Sequence, residues 1–89
     1  GRMVVAWIVE IQGDGSHVAH GLFRFVAMPG SCDRVSIPRR DNKFEVMGVV
    51  LIEHVPRQIG EGADSDAEPT ATIYVQWIGG GDATRTLFN

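Results

Sequence analysis

Asp33-Arg34-Val35-Ser36-Ile37-Pro38, the polar turn Arg39-Arg40-Asp41-Asn42, and the run Lys43-Phe44-Glu45-Val46-Met47-Gly48-Val49-Val50-Leu51-Ile52-Glu53-His54-Val55 decide the fold. Val35 and Ile37 alternate with polar neighbours at a period of two, which puts both on the inward face of a short strand. Beyond the turn, Phe44, Val46, Val50 and Ile52 alternate with Glu45, Met47, Val49, Leu51 and Glu53, a second and longer strand. Gly48 interrupts it. A glycine inside a strand pattern marks a bulge or sharp bend, by which one strand can serve both halves of a small barrel.

Working outward, Met3 to Gln12 is rich in β-branched and aromatic residues. Val5, Trp7, Val9 and Ile11 share one face, and Val4, Ala6, Ile8, Glu10 and Gln12 the other. The second face is apolar at its start, so this strand is expected to be covered on both sides there. Gly13-Asp14-Gly15-Ser16 is a turn. Val18 to Met28 forms the next strand, with Phe23, Phe25 and Ala27 opposite Leu22, Arg24 and Val26, and either face fits inward. Pro29-Gly30-Ser31 breaks it. Residues 56–69 form a long acidic loop without hydrophobic period, of the kind that is functional or mobile. Thr70 to Ile78 is the last strand, with Ala71, Ile73, Val75 and Trp77 opposite Thr72, Tyr74 and Gln76. Gly79-Gly80-Gly81 reads as a flexible break, and 79–89 as an arm that adds a short strand or docks on a neighbouring subunit. No stretch carries a helical period over ten residues.

The run Pro29-Gly30, Arg34-Val35-Ser36-Ile37, a polar turn, then Phe44-Glu45-Val46 and Val49 resembles a pattern frequent in SH3-like small barrels. The resemblance spans roughly residues 22 to 55 and implies a fold only, since that architecture hosts many functions. The expectation is one all-β domain over 1–89, about five antiparallel strands in an SH3-like barrel, with an OB-like barrel as the alternative.

Composition narrows function mainly by exclusion. The chain has 89 residues, enough for one domain with a modest core. Its net charge of -3 is set by Glu61, Asp64, Asp66 and Glu68, without which seven acids face eight Lys and Arg. A strongly basic nucleic-acid footprint is absent. Cys32 is the sole cysteine, which excludes an internal disulfide and suits a reducing cytoplasm. No apolar run approaches the roughly 20 residues that span a bilayer, so no membrane association is expected.

Three constellations bear on chemistry. His17, His20 and His54 are metal-ligand types, but residues three apart on a strand face opposite ways, and solvated loop histidines explain the first two as well. Arg34, Arg39, Arg40 and Lys43, with Phe44 beside them, form one basic cluster suited to phosphates and a stacked base, although a solvated hairpin tip partly neutralised by Asp41 and Glu45 is the simpler account. Trp7, Tyr74, Trp77 and Phe88 are the aromatics available for an interface, although most rings are expected in the core. Cys32 next to Arg34 lacks an evident general base, and Glu45 and Glu53 lie roughly 26 Å apart along an extended strand, too far to act as a pair. No phosphate-binding glycine loop is present. The residues thus point to a non-enzymatic interaction module without a cofactor. Its partner is a second copy or another protein, with nucleic-acid or metal binding as alternatives.

Overall fold

A computed structural model describes residues 3–60 and 67–82. Five strands form one sheet: β1 (Val4–Ile11), β2 (His17–Phe25), β3 (Arg34–Pro38), β4 (Lys43–Val55) and β5 (Thr70–Asp82). Their order is β2-β1-β5-β4-β3, and the sheet curls into a half-barrel. Among the described residues the helical content is a single 3-10 turn at Arg40–Asn42. The all-β, five-strand reading therefore stands.

One pairing differs from the expected antiparallel pattern. β1 and β5, the central pair, run parallel, with Trp7 beside Thr72 and Glu10 beside Val75. The other three pairs are antiparallel. Parallel neighbours need a long connection, and β2, β3 and β4 supply it here. Local turn chemistry predicts hairpins. It says nothing about which strands meet after so long an excursion.

The core is Ala6 and Ile8 from β1, Val35 and Ile37 from β3, Met47 and Val49 from β4, and Ala71, Ile73 and Val75 from β5. Phe23, Phe25, Met28 and Ile52 pack against its margin. The inward face of β1 is thus the one without the indole, and Trp7 lies on the convex side. In a strongly curved sheet the inward rows converge, so small and β-branched residues fill the centre and rings move outward. The expectation of mostly buried aromatics is corrected accordingly: Trp7 and Trp77 are exposed, and Phe23, Phe25, Phe44 and Tyr74 are half-buried.

Bulges adjust which side each strand turns inward. Val50 has no partner between the pairs Val49–Val75 and Leu51–Tyr74, and Ile78 has none between Met47–Trp77 and Val46–Gly79. The bend expected at Gly48 is therefore made by a bulge on either side of it. After the Val50 bulge the inward parity of β4 changes from Met47 and Val49 to Ile52. Gly48 itself lies under the Ile78 side chain, where a Cβ would stand 3.1 Å from Ile78 Cδ1.

Two further boundaries move. β5 continues through Gly79, Gly80 and Gly81 to Asp82, paired with β4 from Val46 to Lys43, so the glycine triplet is strand rather than break. β2 spans His17–Phe25, which adds His17 to the strand that holds His20 and ends it short of Val26 to Met28. Glu61, Asp64 and Asp66 of the acidic loop, and residues 83–89 of the expected arm, lie outside the described residues. No helix among the described residues is long and apolar enough to cross a membrane.

Candidate functional site

The inward rows turn polar at one end of the half-barrel. The row Ala6, Ile8 continues to Glu10 on β1, and Val35, Ile37 continues to Arg39 just past β3. On β4, Met47 is preceded by Glu45, and on β5 the row Ala71, Ile73, Val75 ends in Trp77. β2 contributes through a bulge. His20 is the extra residue between the pairs Ala19–Val9 and Gly21–Ile8, and Gly21 supports the distortion at φ 104°. This brings the imidazole to the concave side.

There His20 Nε2 lies 2.8 Å from Glu10 Oε1, and Arg39 Nη2 lies 2.9 Å from His20 Nδ1. Arg39 also donates from Nε and Nη2 to Glu45 Oε2, at 2.9 and 2.6 Å. A guanidinium only donates, so Nδ1 must accept and the ring proton sits on Nε2, from which it is donated to Glu10. The His20 and Glu10 side chains are 12% and 14% exposed, buried enough that losing a partner would be costly. Because His20 stands on β2 and Arg39 follows β3, the chain Glu10–His20–Arg39–Glu45 joins the two outer strands of the sheet. It clasps the half-barrel where backbone pairing stops.

A carboxylate-oriented imidazole is the outline of a general base; here both ring nitrogens are engaged within the protein. The arrangement orients strands. Sequence reasoning missed it because His20 and Arg39 stand 19 residues apart. The available cue was His20-Gly21, a bulge dipeptide opposite a strand whose inward row ends in Glu10.

The structure separates several residues that the sequence grouped. His17 lies on the convex face with its ring 5.9 Å from that of Tyr74, edge to face, while His20 is in the clasp and His54 is exposed near the far end of β4. Among the described residues no group of three or more His, Cys, Asp or Glu is placed to hold a metal ion. Arg39, Arg40, Lys43 and Phe44 line one cavity of about 480 Å³ together with Glu45, Trp77 and Gly80. Arg34 is elsewhere, paired with Gly48 at the opposite end of β3, about 13 Å of strand from Pro38. Cys32 is exposed at the corner before β3, where the Asp33 carboxylate accepts the Gly30 N–H at 2.7 Å.

The convex face is apolar across four strands, β2, β1, β5 and β4. In register, Leu22 lies beside Trp7, Val9 beside Tyr74, and Tyr74 beside Leu51. Val5, Trp7, Leu22, Leu51 and Ile78 are each between 44% and 55% exposed. Trp7 and Tyr74, both candidate interface residues, meet on this surface in adjacent rows. Trp77 does not: it stands beyond the end of β1, against the clasp. Phe88 lies outside the described residues. Comparison with protein-family models, with curated proteins and with solved structures returns no match.

Proposed function

We propose that the chain is a non-enzymatic interaction module that pairs with a second copy of itself through the convex face of β1 and β5. The single observation that carries this reading is the double-sided apolarity of β1. Ala6 and Ile8 fill the half-barrel, while Val5 and Trp7 on the reverse side remain exposed. Trp7, Leu22, Tyr74 and Leu51 sit in neighbouring rows on that side, and contiguous apolar patches of this kind mark interaction sites. A two-fold pairing would place the same patch against itself. The lone exposed thiol suits a reducing cytoplasm. Light scattering over a micromolar to high-micromolar range tests the proposal: a dimer mass that reverts to monomer in Trp7→Glu supports it. A monomer at every concentration sinks it.

A second reading has its own observation. The cavity at the clasped end combines Arg40, Lys43, Phe44 and Trp77, cationic and aromatic groups suited to a single nucleic-acid strand. Arg39 is already engaged by Glu45 and His20, which leaves few charges for phosphates. Anisotropy titrations with single-stranded and duplex RNA and DNA at low salt decide this reading, and no binding there removes it.

A further inference from the structure

The half-barrel leaves two strand edges facing one another, β2 and β3, with a seam between them. At one end the seam is shut by the His20–Arg39 hydrogen bond. Away from that clasp it opens into a cavity of about 330 Å³, floored by Ile8 and walled by Phe23 and Phe25 on one side and Val35 and Ile37 on the other. Among the described residues neither β2 nor β3 has a strand partner on this side.

The edge of β3 is chemically ready for one. The Arg39 N–H donates to the Lys43 carbonyl at 2.7 Å, so Arg39 and Lys43 form a hydrogen-bonded pair. Antiparallel pairs alternate between bonded and non-bonded, and the β3–β4 register is continuous from Pro38–Phe44 to Arg34–Gly48. Ser36 and Arg34 therefore turn their N–H and C=O groups away from β4, toward the seam. Pro38 falls on the same parity, where a missing N–H costs the ladder nothing.

We propose that this seam accepts an extended segment of another protein, in which apolar side chains alternate with acidic ones. The incoming backbone would pair with Ser36 and Arg34, which is recognition by strand addition. Period-two alternation would send every second side chain onto Phe23, Phe25, Val35 and Ile37. The intervening side chains would point outward between Arg24 and Arg34. These two arginines sit at the same, unclasped end of the seam, because β2 and β3 run in opposite directions. Both are exposed, and neither forms an ion pair among the described residues. That positive rim selects carboxylates. The floor of the seam lies on the opposite side of the sheet from the convex face, whose edge Arg24 borders beside Val5, and this inference does not depend on self-association.

The test uses the full chain, isotopically labelled, and a capped nine-residue peptide alternating valine and glutamate, with the valine–lysine analogue as the charge control. The glutamate peptide is expected to bind at least tenfold more tightly and to slow amide exchange at Arg34 and Ser36. The double variant Arg24→Glu, Arg34→Glu is expected to reverse the preference, and because both positions are exposed its melting temperature should match the parent's. Ser36→Pro removes one seam-facing N–H and should weaken binding tenfold while leaving the β3–β4 ladder intact. Equal affinity for the two peptides, no binding up to millimolar peptide, or protection confined to Trp7 and Leu22 would overturn the proposal. The last outcome would leave the convex face as the binding surface, which separates this failure from failure of the dimer reading.

Discussion

His20 has both ring nitrogens occupied, and the partners differ in kind: a carboxylate on one side and a guanidinium on the other. Replacing it with alanine strands the Glu10 carboxylate in a position only 14% exposed, which is expected to cost about 1–3 kcal/mol in chemical denaturation. Arg40→Ala is the control. Arg40 is exposed on the turn and joins no ion pair among the described residues, so its loss should shift stability by no more than about 0.5 kcal/mol. The Asp14 carboxylate, in the first turn, accepts from the Ser16 hydroxyl at 2.6 Å and from the Ser16 amide at 2.9 Å. These bonds, the hydroxyl's first, hold its pKa below the usual 3.8. A depressed folded-state value contributes stability above the unfolded value, and that contribution is lost as pH falls through the folded one. Asp14→Ala should therefore melt below the parent at neutral pH. The gap should narrow as pH falls through the folded-state value and the carboxyl is protonated in folded and unfolded chains alike.

Among the elements, the bulged strands are the ones whose sequence can be tested by backbone conformation. Gly21 holds φ at 104° where β2 doubles against Ile8. A side chain there is strained whatever space surrounds it, so Gly21→Ala is expected to cost about 1–2 kcal/mol and to displace His20 from Glu10, visible as shifted imidazole resonances. Gly80 is constrained by contact instead. A Cβ at that position would stand 3.0 Å from the Phe44 carbonyl oxygen, a backbone atom that cannot swing aside. Gly80→Ala should cost about 1–3 kcal/mol by overpacking, measured by thermal or denaturant unfolding. Gly80 thus serves a close strand pairing, whereas a Cβ at Gly79 would meet nothing within 4 Å, and the run was misleading as a flexibility cue. Composition alone does not distinguish a glycine needed for freedom from one needed for proximity.

For the molecule as a whole, the sheet presents three surfaces with different chemistry: an apolar convex face, a clasped polar end, and an open seam with a positive rim. Charge placed on the convex face should act on association and leave the fold alone. Leu22→Glu is expected to abolish the dimer in light scattering and to leave the far-ultraviolet dichroism spectrum unchanged, because Leu22 is 55% exposed and absent from the core. Loss of the spectrum together with the dimer would show that the convex leucine supports folding, against the proposed reading.

Periodicity was enough for the class and for most strand positions. Val35 and Ile37 face inward as their alternation requires, and β4 runs from Lys43 to Val55 as read. These are local properties, set by side-chain alternation and by turns within a few residues. Which face of β1 is buried, which strands meet in parallel, and how His20 reaches Arg39 are decided across separations of 19 residues or more. They depend on the curvature of the assembled sheet and on bulges that change inward parity partway along a strand. A two-residue period cannot encode an inserted residue, so these features emerge only when the strands pack.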